Sequence, residues 1–369
     1  MPTRRTFIQQ IAAGALLGLT TGAASARGAA AAGSWTMPDE HLPQERVFVS
    51  YAASSAVWKD WAGPVNATVA RLAQAIARYQ PVTVFCRPSQ LAQAQRDCGF
   101  TNIDYFPVAL DDIWVRDYGG CFVVDGTGNL GLVDFNFNGW GGKQRAGSDT
   151  RVAKALSEDL EASYIISSLV GEGGGIEVDG HGTGIMTESC WVNANRNPRM
   201  SRAQIEAELK LRLGLRKIIW LPGIRDKDIT DAHVDFYARF VRPGLVVVNR
   251  DDDPQSHDYA ITRKHLEILK NASDADGRRL EIHILPPPAR PRSSRFSEGN
   301  PDFAAGYINY LPINGAVIAP QFGDTEADGY CRDLLAKLYP GRDIVQLDID
   351  PIAAGGGGIH CVTKQLPRV

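Results

Sequence analysis

The chain has 369 residues, 44% hydrophobic and 22% charged, with 39 Lys and Arg against 42 Asp and Glu. That mildly acidic balance, with no basic tract, excludes a dedicated nucleic-acid binder and favours a cationic small molecule over an anionic one. The six cysteines are scattered with no C-x-x-C pair, which excludes a zinc ribbon and a thioredoxin-type redox pair.

The first residues read as an address. Thr3-Arg4-Arg5-Thr6-Phe7-Ile8 is a twin-arginine pattern, followed by an apolar run from Ile11 to Leu19 and a small-x-small cleavage site at Ala24-Ser25-Ala26. The expectation is export to the periplasm or beyond, with residues 1–26 as the signal and 27–45 as a linker. Export by this route handles folded protein, so the fold should not depend on disulfides formed outside. Removing Arg4 and Arg5 takes the formal charge from −3 to −5. The apolar run is too short to span a bilayer. No later charge-free stretch of about eighteen apolar residues follows, so no membrane association is expected of the mature chain.

From there the chain alternates. Val47–Tyr51 reads as a strand, and 58–79 as a helix with Val65, Val69, Leu72, Ala73 and Ile76 on one stripe. Pro81 ends the helix and Val82–Cys86 forms a buried strand. Leu91–Cys98 is helical and Ile103–Phe106 extended. The order then recurs as helix and strand at 151–162 and 163–170, at 201–213 and 216–221, at 258–271 and 280–285, and at 325–339 and 343–347. This alternation predicts an α/β protein built from one repeated unit without sequence repeat. Two long loops stand out, 139–149 and the Pro- and Arg-rich 286–302. The second suits a lid or binding loop better than a domain linker.

Several stretches carry chemistry. Asp111 to Gly119 packs three acids, Trp114 and Arg116 into nine residues. If extended, it puts Asp117 on the face of Ile113 and Val115, where a carboxylate needs a cationic partner, either Arg116 of another turn or a ligand. Trp140 sits among glycines, where an indole either walls a pocket and holds a cation or fills a core gap. Glu172 lies in a glycine turn after an apolar strand, a place where α/β proteins carry functional side chains. That turn lacks the Gly-Lys-Ser/Thr ending of a phosphate loop, so no nucleotide site is expected. From Asp231 to Phe240 a strand would line Asp231, His233, Asp235, Tyr237 and Arg239 on one face. His233 and Asp235 lack further ligands nearby for a metal site and read better as a general base beside a substrate-holding carboxylate. Finally, Gly355-Gly356-Gly357-Gly358-Ile359-His360-Cys361 lets the main chain approach a ligand closely and delivers a thiol.

A thiol, an imidazole and several carboxylates suit a guanidinium substrate. Its planar fork of N–H groups matches paired carboxylates, and the thiolate can attack the central carbon while the imidazole protonates the departing ammonia. No cofactor is needed for that chemistry, and none is expected, nor a metal.

The chain resembles the agmatine deiminase and bacterial-type peptidylarginine deiminase family of the guanidino-group-modifying pentein superfamily. The resemblance rests on six motifs in order: D-x-W-x-R-D-x-G at Asp112–Gly119, E-G-G at Glu172–Gly174, D-G-x-G-T at Asp179–Thr183, N-R-N-P at Asn195–Pro198, H-x-D at His233–Asp235 and G-G-G-x-I-H-C at Gly355–Cys361. It implies a five-bladed, pseudo-symmetric α/β propeller of ββαβ-type units over residues 46–369 as one catalytic domain. It also implies Cys361 as nucleophile, His233 as acid and base, and Asp117 and Asp235 gripping the guanidinium with Glu172 in the same cluster. Substrate contacts fall to Trp114, Trp140, Asp112 and Gly358. Departures are Gly120 where Pro is frequent, Lys364 where Gln is frequent, and Ser189 in place of an acid. Gly139-Trp140-Gly141 matches agmatine-type members rather than those with arginines there. The expectation is therefore hydrolysis of agmatine to N-carbamoylputrescine and ammonia, as part of polyamine metabolism, with a homodimer left open. A deiminase of free or peptide-terminal arginine is the alternative, with Arg145, Arg151 and the 290–295 arginines as carboxylate contacts. Outside that class stand a cysteine hydrolase of peptides or amides and a non-catalytic guanidine- or polyamine-binding protein.

Overall fold

The computed structural model describes residues 35–369. The twin-arginine segment, its cleavage site and most of the expected linker lie outside the described residues.

Five small sheets repeat one plan, an antiparallel strand pair, then a helix, then a third strand parallel to the second. Cys121–Val124, Leu130–Asp134 and Ser163–Ile166 make one blade around helix Val152–Asp159. Glu177–Val178, Thr183–Thr187 and Lys217–Leu221 make the next, with helix Arg202–Leu213. Ala238–Arg242, Leu245–Val248 and Glu281–Ile284 follow, with helix Asp258–Asn271. Leu311–Ile313, Ala316–Gln321 and Asp343–Asp348 come fourth, with helix Thr325–Leu338. The fifth blade joins both ends of the described chain. Gln44–Tyr51 pairs antiparallel with the last strand, Thr363–Pro367, and parallel with Val82–Cys86, which pairs with Ile103–Pro107. Pairing the first strand with the last inside one blade closes the ring. This is the pentein architecture expected from the motifs.

Local sequence explains the helices. Ser201 caps Arg202–Leu213 through the Gln204 amide N–H, and the Gln204 side chain accepts from the Ser201 N–H. Such a box contributes about 1 kcal/mol. Gly214, at φ 69°, ends that helix in the left-handed region, where a Cβ is costly. In Ala62–Ala77 the stripe Val65, Val69, Leu72, Ala73 and Ile76 is buried against its own sheet. Strands such as Val82–Cys86 and Leu245–Val248 are buried throughout, as expected where a helix covers one face and the ring centre the other.

Three expectations are corrected. The stretch 113–117 is not extended: Val115–Tyr118 is one helical turn. The stretch 231–237 is not a strand either, since Val234–Phe236 is a 3-10 turn and pairing starts only at Ala238. The strand expected over 163–170 ends at Ile166. In these stretches backbone groups are taken up outside a strand ladder, locally, by side chains or by single bonds to another segment, as Arg116 N is by Cys361 O at 3.1 Å. Tyr237 N donates to Val234 O at 2.8 Å, and Asn197 bonds both N and O of Val170 at 3.0 Å.

Candidate active site

Each blade contributes the segment leading into its first strand, and these five lead-ins converge. They carry Asp117 before Cys121, Glu172 before Glu177, His233 and Asp235 before Ala238, Asn309 before Leu311, and Cys361 before Thr363. All are at most 7% exposed. The structure thus brings together Cys361, His233, Asp235, Asp117 and Glu172 at the ring centre.

Gly174 lies among them. A Cβ there would fall 2.6 Å from His233 Nδ1, 2.8 Å from Asp117 Oδ1 and 3.1 Å from Asp235 Oδ2. Its N–H donates to Asp117 Oδ1 at 2.9 Å. The Trp140 indole donates to Asp117 Oδ2 at 2.8 Å. Trp140 holds φ 56°, a left-handed conformation that is strained for a bulky residue, and it aims the indole N–H at that carboxylate. The His233 ring stands between two acids, with Nε2 3.3 Å from Glu172 and Nδ1 3.8 Å from Asp117. Burial works against a charged ring, but Asp117, the Cys190 thiol and Glu172 outweigh it and hold the His233 pKa well above its ordinary value. Glu172 accepts Arg196 Nε at 2.8 and 2.9 Å, and this guanidinium with His233 overcomes burial to keep the carboxyl ionised below its usual range.

Cys361 Sγ lies 3.6 Å from Asp235 Oδ2 and 3.5 Å from Asn309 Oδ1. Asn309 Oδ1 also accepts the backbone N–H of His360 at 2.9 Å and of Cys361 at 3.3 Å, fixing the thiol-bearing turn. Asp235 Oδ2 accepts from His360 Nδ1 at 2.8 Å, while among the described residues buried Asp235 Oδ1 has no hydrogen-bond partner. Burial, then Asp235 and Asp117, push the Cys361 thiol well above its ordinary pKa. Burial also raises Asp117, against the pull of His233 and with the push of Asp235 and Glu172. The resting pit therefore holds its thiol protonated, and the charge of His233 lies against Asp117 and Glu172.

The glycine run packs as closely as its composition suggests. A Cβ on Gly357 would fall 2.2 Å from the Trp114 ring, and one on Gly358 2.5 Å from Asn309 Oδ1. Trp114 packs against Trp58 with ring centroids 5.8 Å apart. Asp112 sits beneath both. Its oxygens accept Trp58 Nε1 at 2.6 Å, Trp114 Nε1 at 3.1 Å, Gln144 Nε2 at 2.8 Å and its neighbour Ile113 N at 2.9 Å. Every lone pair is thereby taken up in holding the two indoles.

A buried charge network backs the site. Glu40 bonds Arg116 at 2.7 Å, Arg239 at 2.6 Å and His360 Nε2 at 2.9 Å. Despite burial, these three hold Glu40 well below the usual carboxylate range. Arg116 is therefore the partner of Glu40, not of Asp117, and it also donates through Nε to His360 O at 3.1 Å. Glu40, Asn309 and the supporting role of His360 were missed in the sequence. His360 and Arg196 stood inside the quoted motifs. Asn309 sits in an apolar stretch, and Glu40 in a segment that reads as a linker, so neither carried a signal. Among the departures, the Lys364 ammonium group is buried 3.8 Å from Cys121 Sγ, and Ser189 donates to Asp231 O at 2.7 Å.

Among the described residues the one group of three metal-ligating side chains is Glu172, Cys190 and His233, within 4.8 Å of one another. The Arg196 guanidinium already occupies both Glu172 oxygens, so a metal ion there would face a buried cation. That donor set does not fit a metal.

Residues 36–367 match the model of the Porphyromonas-type peptidyl-arginine deiminase family. An agmatine deiminase of Stutzerimonas stutzeri is 38% identical over 90% of this chain and 95% of its own. One from Pseudomonas putida is 37% identical over the same shares. The solved agmatine deiminase of Enterococcus faecalis superposes with a TM-score of 0.86 at 31% identity, over 91% of this chain and 96% of its own. With its five-bladed ring and central acid-and-thiol pit, this chain belongs to the Porphyromonas-type peptidyl-arginine deiminase family, hydrolases that act on guanidino groups.

Proposed function

We propose that the chain deiminates agmatine through a covalent intermediate on Cys361, giving N-carbamoylputrescine and ammonia. The observation that carries the reading is the set of acids around Cys361, where, among the described residues, buried Asp235 Oδ1 beside the thiol has no hydrogen-bond partner. A guanidinium would donate N–H groups to Asp235 and Asp117 and supply the positive charge that lets the thiol ionise, its proton leaving to solvent as the substrate enters. The thiolate then adds to the guanidinium carbon. His233, charged at rest, gives its proton to one amino group, which leaves as ammonia and leaves a thiouronium on sulfur. Neutral His233 next accepts a proton from water, and the hydroxyl adds to the same carbon. The carbon–sulfur bond breaks as the hydroxyl releases its proton to solvent, the ureido product departs, and the thiolate is restored with His233 charged again. Glu172 keeps the imidazole oriented, and Asp112 acts through Trp114 as a positioning residue.

Agmatine is favoured over arginine because two of the arginines considered for a carboxylate, Arg292 and Arg295, are engaged elsewhere. Arg292 pairs with Asp348 at 2.9 Å and Asp350 at 3.1 Å, and Arg295 stacks on Phe296. The twin-arginine segment motivates a periplasmic or secreted location, which fractionation of the expressing cell would test. The functional test is ammonia and ureido-product release with agmatine, free arginine and a peptide ending in arginine, with Cys361→Ala as control. Trapping a covalent adduct by intact mass would support the thiouronium step. Binding without turnover in the wild type would favour the non-catalytic reading instead.

A further inference from the structure

The site opens on a cavity of about 1050 Å³ that is lined by His233 and Gly355-Gly356 and runs beneath segments 286–290 and 301–306. The expectation of a binding loop at 286–302 thus falls on a cavity wall. Sites for drug-sized ligands span about 300–1,000 Å³, so the short tail of agmatine would fill only a small part of it. The wall is acidic, with eight carboxylates against Lys227 and Arg290.

Two of these acids, Asp228 and Asp251, gather near a third, Asp258. Asp258 accepts the Tyr237 hydroxyl at 2.9 Å. Burial raises the Asp258 pKa, His257 and Tyr237 oppose this, and the charges of Asp228 and Asp251 add to it. Among the described residues no Lys or Arg pairs with the carboxylates of Asp228, Asp251 or Asp258, and His257 is 3.6 Å from Asp258. A second observation is independent of charge. Asn249, 8% exposed, lines the same cavity. Its Nδ2 donates to Phe236 O at 3.2 Å, which fixes the amide orientation, and among the described residues its Oδ1 has no donor. Buried acceptors of this kind are ordinarily satisfied. Among the described residues these acids do not bring three ligating atoms within 4.8 Å, so the charge is spread along a wall rather than focused on one ion.

Resting on the deiminase reading above, we infer that this cavity holds the tail of a guanidine with further ammonium groups beyond the one in agmatine, a guanidine-capped polyamine. Successive ammonium groups match separated carboxylates, and an N–H of the chain meets Asn249 Oδ1. A peptide ending in arginine would instead bring a carboxylate against this wall, where like charges repel.

The test compares kcat/KM of the full chain for agmatine, butylguanidine and a guanidine-capped spermidine at low and high salt. The capped spermidine should exceed agmatine by about tenfold or more at low salt, mostly through KM, with the advantage shrinking as salt screens the wall. In Asp251→Asn and Asp258→Asn, which alter partly exposed side chains, the ratio of capped spermidine to agmatine should fall. Equal or better use of agmatine at low salt, an unchanged ratio in both variants, or preference for an arginine-ending peptide would overturn the inference while leaving the deiminase intact. Failure to turn over any guanidine with Cys361 unmodified would instead reject the deiminase reading on which it rests.

Discussion

Gly174→Ala places one methyl group in the centre of the site. Gly174 is outside the left-handed region, so alanine meets no backbone strain there, and the effect is one of space. The new Cβ would lie 2.6 Å from His233 Nδ1, whereas ordinary contact begins near 3.4 Å, so the ring must retreat by about 0.8 Å. Asp117 Oδ1, at 2.8 Å, must yield as well. Overpacking of this size costs about 1–3 kcal/mol in stability, a fall of a few degrees in a chain of this length. Its effect on turnover should be larger, because displacing a catalytic group by about 1 Å costs about 10²-fold. The assay is ureido-product formation from agmatine, with thermal unfolding followed in parallel. Gly63→Ala is the control: its Cβ would meet nothing within 4 Å, and activity should stay at the wild-type level. A folded Gly174→Ala enzyme with wild-type kcat/KM would refute the placement of His233 and Asp117 around the substrate.

Three further outcomes can be checked. Trp140→Phe removes the indole N–H from Asp117 Oδ2. It leaves a buried acceptor short at about 1–3 kcal/mol, so KM for agmatine should rise about tenfold, and an unchanged KM would separate Trp140 from substrate binding. Glu40→Gln deprives Arg116 and Arg239 of their shared carboxylate. Breaking buried pairs costs about 3–5 kcal/mol, which urea unfolding would register, and a loss below about 1 kcal/mol would dismiss the network as a support. His265 accepts the Gly223 N–H through Nε2 at 3.1 Å, and burial, then Lys264, lowers its pKa to about 3. The unfolded ring titrates near about 6.5, so the unfolded chain takes the proton first. This contribution is intact above about pH 6.5 and lost as pH falls towards the folded value, by about 2 kcal/mol at pH 5. His265→Gln should remove that part of the pH slope of stability. Parallel slopes in wild type and variant would reject it.

The sequence by itself determined the repeated unit and most of its elements. Helix Asp258–Asn271 occurs where the recurring helix-and-strand order placed it, and strands such as Val82–Cys86 follow from runs too apolar to face water. It also singled out Cys361, His233, Asp235, Asp117 and Glu172, because ionisable groups beside glycines have few structural uses and these motifs are specific. Tertiary structure decided the rest. Lead-ins that read as strands by alternation are helical turns, because their backbone groups bond within the turn, as Tyr237 N does to Val234 O, rather than along a strand ladder. Asp112 looked like a substrate contact from its motif, yet its lone pairs are spent on two indoles that lie far apart in sequence. Glu40 reads as one acid in a linker, and only closure of the ring sets it against Arg116, Arg239 and His360. Local patterns report burial and backbone preference, whereas the partners of a buried charge are chosen by long-range packing. The acidic cavity belongs to the same class: its carboxylates are dispersed along the chain and become one surface only when the blades assemble.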